Sequence, residues 1–79
     1  MDLVSKIKET LAKQLNTTPD KITLSSELTE DLGMDSLDSI EIVMALEEEF
    51  GIEIPDEDTE RLKKVGDILT YLQKRLSKT

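Results

Sequence analysis

Leu3, Ile7, Leu11 and Leu15 recur every fourth residue, with Val4 and Ala12 alongside, and this spacing predicts an amphipathic helix with one buried face. Asp2 can cap its start, and Asn16 followed by Pro19 ends it. From about residue 16 to 35 the pattern changes to turn formers and hydroxyls, interrupted by the single apolar residues Ile22, Leu24, Leu28 and Leu32. Such a stretch predicts a long ordered loop pinned to the core by those four side chains, and a loop of that length in a small chain is usually functional. A second helix is expected from Ser36 to Phe50, stopped by Gly51, which tolerates positive φ after a last turn; at 1.5 Å per residue it is about 22 Å long. After Ile52 and Ile54, Pro55-Asp56 can start a short third helix to about Arg61, and Val65, Ile68, Leu69, Leu72 and Leu76 mark a fourth. The tail Leu76-Ser77-Lys78-Thr79 is expected to fray. With no repeats, low-complexity tracts or strand-like alternation, the pattern predicts an all-α fold. Its form is a small four-helix bundle with a long ordered first loop and a short third helix, one domain over residues 1–79.

The second helix carries two apolar stripes. At about 100° per residue, Ile42, Val43, Leu46 and Phe50 share one arc, while Leu37, Ile40 and Met44 share another, bordered by Glu41, Glu47 and Glu48. One arc suits the core. The other is either further core or a docking strip whose apolar side chains supply affinity and whose carboxylates supply orientation and association rate.

Composition narrows the chemistry. The 79 residues contain no Cys and no His, so disulfides, a thiolate nucleophile, an imidazole base and the usual zinc ligands are unavailable from the chain. A chain this short buries too little surface for a deep enclosed active site. The formal charge is -8, and between Lys21 and Arg61 there are fourteen carboxylates and no base. Such a field repels nucleic acid and anionic lipid and attracts protein surfaces rich in Lys and Arg. The start Met1-Asp2-Leu3-Val4-Ser5-Lys6 lacks the basic region and apolar run of a secretion signal, and no apolar run reaches membrane-spanning length. A cytoplasmic monomer is expected.

Ser36, in Asp35-Ser36-Leu37 just past Gly33, stands at the head of the second helix. A serine there has two readings, an ordinary N-cap or a site of esterification. A phosphate at a helix N-terminus faces unpaired N–H groups and the positive dipole end, worth roughly 0.3–1 kcal/mol when exposed. The run from Glu30-Asp31-Leu32-Gly33-Met34-Asp35-Ser36-Leu37-Asp38-Ser39-Ile40-Glu41 to Leu46-Glu47-Glu48-Glu49-Phe50, extended by Ile54-Pro55-Asp56-Glu57, resembles the signature of acyl carrier proteins of the dissociated fatty-acid synthesis type. The likeness spans essentially the whole chain. Asp-Ser-Leu alone is a weak signal, and the block with its flanks is a strong one.

The resemblance implies that Ser36 receives 4′-phosphopantetheine from coenzyme A through a separate magnesium-dependent phosphopantetheinyl transferase, and that acyl groups ride as thioesters on the thiol of that arm. The chain itself would catalyse nothing. By the same resemblance Asp35 and Asp38 would engage the transferase and other basic partners. Glu41, Glu47 and Glu48 would pair with Arg and Lys of fatty-acid synthesis enzymes, while Leu37, Ile40 and Met44 would fill shallow apolar depressions on them. Glu49 turns toward the other side of the helix. The acyl chain would be shielded among aliphatic side chains, with Leu46, Ile54 and Leu62 as expected contacts. One departure is Lys64 before Val65, where many relatives place a Thr or Ser cap, and it leaves the start of the last helix open. A peptidyl, alanyl or polyketide carrier would use the same arm, though Asp35 and the acidic helix fit the fatty-acid type better. A calcium-binding module lacks the alternating oxygen ligands of an EF-hand loop around Asp56, Glu57 and Asp58. An unmodified acidic interaction module is the remaining alternative.

Overall fold

The computed structural model describes residues 2–77. Helix α1, Leu3–Leu15, begins where the Asp2 carboxylate accepts a hydrogen bond from the Ser5 amide at 2.8 Å. That bond holds the Asp2 carboxyl below its ordinary value of 3.8, so the cap contributes fully above that pH and is lost as pH falls through the lowered value. The helix ends at Asn16 in the left-handed conformation, φ 57°, a geometry that asparagine tolerates better than most residues. Helix α2 is Ser36–Phe50, α3 is Asp56–Thr59 and α4 is Val65–Ser77, and α1 packs against both α2 and α4. One apolar cluster joins them, with Ile7, Leu11, Ile42, Leu46, Ile68 and Leu72 at its centre.

The expected long loop is ordered for a specific reason. It contains a short 3-10 turn at Pro19–Lys21 and then runs beside the segment that leads into α4. Leu28 N–H donates to Lys63 C=O at 2.9 Å, Val65 N–H to Ser26 C=O at 3.1 Å and Gly66 N–H to Leu24 C=O at 2.8 Å, with Glu27 and Lys64 forming an isolated antiparallel bridge. A Cβ on Gly66 would lie 3.0 Å from the Leu24 carbonyl oxygen, so glycine is what lets the two segments touch. Ile22, Leu28 and the half-buried Leu32 pin the loop as expected, but Leu24 is 41% exposed and does not. Its backbone serves the fold while its side chain faces outward. Met34, unassigned by the periodicity, is buried in its place.

Two helix limits differ from expectation. The α3 helix closes at Thr59 rather than near Arg61. The last helix continues through Leu76 and Ser77, where fraying was expected, and Lys78 and Thr79 lie outside the described residues. Lys74 and Arg75 in that last turn complement the negative end of the dipole. The start of α4 needs no Ser or Thr: Asp67, three residues into the helix side of the junction, reaches back to accept from the amides of Lys63 and Lys64 at 3.1 and 3.0 Å.

Candidate functional site

The residue that caps α2 is Asp35, not Ser36. Its carboxylate accepts from the Asp38 amide at 2.9 Å, and the Asp38 carboxylate accepts from the Asp35 amide at 3.3 Å, a reciprocal capping box. Ser36 is therefore the first helical residue, exposed to solvent, and among the described residues nothing hydrogen-bonds its hydroxyl. Two consecutive residues able to cap compete for one position. Asp35 takes it because an ionised acceptor binds an amide more strongly than a neutral hydroxyl, which leaves the serine oxygen free for chemistry.

This arrangement fits a phosphodiester without gripping it. Among the described residues the amides of Ser36 and Leu37 have no partner at the positive end of the helix, as is usual for first-turn amides. The Asp35 and Asp38 carboxylates flank the same place and repel an anion. Attraction and repulsion oppose one another, so the favourable seat expected from the helix terminus alone is reduced. A group esterified to Ser36 hangs from a fixed point and is otherwise free to swing.

The two arcs of α2 separate, and burial decides between the two readings the periodicity left open for the second. Ile42 and Leu46 are buried, whereas Leu37, Ile40 and Met44 are 62, 59 and 57% exposed. Three large apolar side chains exposed on one strip beside Ser36 form a surface of the kind that docks partners. The carboxylate rim is split across the strip. Glu41 and Glu48 flank it on the side toward α1, where Gln14 donates to Glu41 at 2.7 Å and Lys6 pairs with Glu49 at 3.4 Å. Glu47 flanks it on the side toward α3, and its carboxylate accepts the Ile54 amide at 2.7 Å. Glu47 thus holds the segment after α2 in addition to edging the strip. Glu47, Glu48 and Glu49 crowd the negative end of the α2 dipole with no base in the last turn, a placement that costs stability.

Beside the strip a cavity of about 470 Å³ opens between α2 and α3. Ser36, Ser39, Ile40 and Met44 form its mouth side, Leu46, Ile54 and Leu62 line it within, and Asp56, Thr59 and Glu60 line the α3 wall. Met34 lines it too, a role that periodicity could not find because that residue lies in the loop. Among the described residues no helix is long and apolar enough to cross a membrane.

Comparison with known proteins agrees with this geometry. Residues 5–72 match the family model described as the phosphopantetheine attachment site. The chain is 49% identical over 75 residues to a protein named acyl carrier protein from Bdellovibrio bacteriovorus, covering 95% of this chain and 96% of the relative. It is 46% identical over 76 residues to one of the same name from Thermosynechococcus vestitus, covering 96% and 94%. A third, from Clostridium perfringens, is 47% identical over 76 residues, covering 96% of this chain and all of the relative. A likeness of that depth from end to end, on a bundle that leaves a serine oxygen free at a helix head beside an apolar strip and a cavity, means that the chain belongs to the acyl carrier protein family.

Proposed function

We propose that the chain, acting as one domain, carries acyl intermediates of fatty-acid biosynthesis as thioesters on a 4′-phosphopantetheine arm attached to Ser36. The observation that carries this reading is the exposed Ser36 hydroxyl, free of hydrogen bonds at the first position of α2. In the transferase complex the serine oxygen displaces the nucleotide part of coenzyme A from the pantetheine phosphate, a new P–O bond replacing the broken one, and the hydroxyl proton leaves with a base of the transferase. The arm supplies the thiol that this cysteine-free chain lacks. The chain itself positions and presents; it is a carrier and not a catalyst. Intact-mass measurement after treatment with coenzyme A, magnesium and a transferase tests the assignment directly.

The strip Leu37, Ile40 and Met44, with Asp35, Asp38, Glu41, Glu47 and Glu48 around it, is the face offered to the transferase and to fatty-acid synthesis enzymes with basic docking patches. Exposed ion pairs are individually worth about 0–1 kcal/mol, so single substitutions are poor probes. Glu47 also supports the backbone at Ile54 and Asp35 caps the helix, so the pair to reverse is Glu48 with Glu41, whose carboxylate bonds the side chain of Gln14 and, among the described residues, no backbone group. In Glu41→Lys with Glu48→Lys, association with the transferase is expected to slow about tenfold at low ionic strength and to approach wild type at high salt. Stopped-flow association rates across a salt series check this, and equal rates for both proteins at low salt would remove the rim from the docking face.

The cavity between α2 and α3 is the place for a fatty acyl chain. Its lining by Leu46, Ile54 and Leu62 supplies apolar contact within reach of an arm rooted at Ser36, and transfer from water stabilises each buried methylene by about 0.8 kcal/mol. In the acylated protein, proton contacts between the chain and those three side chains are expected by NMR; a loaded chain that touches none of them would leave the cavity without this role.

A further inference from the structure

The wall of the cavity formed by α3 has little of its own to hold it. The helix is the tetrapeptide Asp56-Glu57-Asp58-Thr59, with no buried residue, and so lacks the apolar face that fixes most helices. Among the described residues, the one side-chain hydrogen bond that ties α3 to another helix runs through Asp58. Tyr71 of α4 donates its hydroxyl to Asp58 Oδ2 at 2.7 Å, and Arg75, one turn further along α4, donates from Nη1 to the Tyr71 oxygen at 2.7 Å. The guanidinium carbon also lies 5.6 Å from the centre of the Tyr71 ring, within range of a cation–π contact.

We propose that Tyr71, held between Asp58 and Arg75, is a positioning residue that latches α3 to α4 and sets how long an acyl chain the cavity between α2 and α3 admits. The chain-length part rests on the cargo reading above; the latch itself does not. A hydroxyl donating to an ionised carboxylate makes one of the stronger hydrogen bonds available to a surface helix. Arg75 fixes the rotor by occupying the phenolic oxygen as acceptor, so the proton points at Asp58. Burial, followed by the bond to Asp58, pushes the Tyr71 phenol above its ordinary value of 10.0, so it stays a donor throughout the neutral range. Asp56, Thr59 and Glu60 stand across the cavity from Met44 and Glu47. Movement of α3 away from α4 therefore changes the space beside the arm without disturbing the packing of α1 on α2 and α4.

Two measurements separate the latch from the cargo. In the unmodified chain, amide exchange is read by NMR at Thr59, Arg61 and Leu62, whose N–H groups bond within this segment, and at reference amides in α1 and at Gly66. Tyr71→Phe keeps the ring and removes the link. It should speed exchange roughly two- to tenfold at the three α3-side amides and change the reference amides by less. Asp58→Ala should do the same, while Asp58→Asn, whose side-chain oxygen still accepts but without the charge, should fall between wild type and Asp58→Ala. Wild-type exchange at α3 in Tyr71→Phe, or a uniform rise across all helices, overturns the latch. In the phosphopantetheinylated protein loaded with hexanoyl, decanoyl or myristoyl chains, the gain in melting temperature should level off at a longer chain in Tyr71→Phe than in wild type. An unchanged profile with α3 loosened overturns the chain-length claim. If no chain stabilises wild type, the cavity loses its cargo role and that claim falls with it, while the exchange rates still decide the latch.

Discussion

Treated with coenzyme A, magnesium and a broad-specificity phosphopantetheinyl transferase, the wild-type chain is expected to gain the mass of one phosphopantetheinyl group, and Ser36→Ala is expected to gain none while melting at nearly the same temperature. The second half of that expectation comes from the geometry. Had Ser36 capped α2, its removal would cost about 1 kcal/mol and loss of modification would be confounded with loss of structure. Asp35 holds the cap instead, through a 2.9 Å bond from the Asp38 amide, and the Ser36 hydroxyl supports nothing in the fold. Alanine at a first helical position is well tolerated, so the change in stability should stay within about 0.5 kcal/mol. A well-folded wild type that gains no mass would remove the carrier function and leave an acidic interaction module. A Ser36→Ala variant that still gains the group would move the attachment elsewhere, with Ser39, exposed and lining the same cavity, the first residue to examine.

The second large effect lies in the core. Leu11→Ala is expected to unfold a substantial fraction of the protein at room temperature, because truncation of a fully buried leucine costs about 2–5 kcal/mol and Leu11 is 0% exposed. Stabilities of about 0.05–0.15 kcal/mol per residue leave a chain of this length little margin, and mutual repulsion among the carboxylates of the middle segment reduces it further. Urea titration followed by helical circular dichroism should show the midpoint fall well below wild type, and added salt or magnesium should raise it by screening the acidic field. Met44→Ala offers the contrast. Met44 is 57% exposed, so its truncation should barely move the midpoint while weakening association with basic partners. Equal midpoints for wild type and Leu11→Ala would mean that α1 is not bound to the rest of the bundle through this face.

Helices and their faces were legible because they are local. Spacing of four residues in α1, the glycine after Phe50 and the division of α2 into two arcs depend on contacts within a few residues, whereas only packing shows that Ile42 and Leu46 lie inside and Leu37, Ile40 and Met44 outside. The head of α2 was legible to within one residue: Asp35 and Ser36 are both capping types, and only the reciprocal bonds with Asp38 settle which one caps. Leu24 faces outward where burial was expected, and Met34, for which the pattern gave no expectation, is buried, because isolated apolar residues in a loop carry no period and nothing local says which side faces the core.

By itself, then, the amino-acid sequence determined the all-α class, the acidic charge, the lack of any thiol or imidazole and the placement of one serine at a helix head beside an apolar strip. Tertiary structure alone decided the rest. It paired the long loop with the segment before α4, assigned Glu47 to the Ile54 amide, opened the cavity between α2 and α3 and joined Asp58 to Tyr71 and Arg75. The physical reason is range. Periodicity and capping are set by bonds between near neighbours in the chain, whereas a cavity or a bond between helices exists only after distant segments are packed, and its shape depends on how every other side chain fills the space around it.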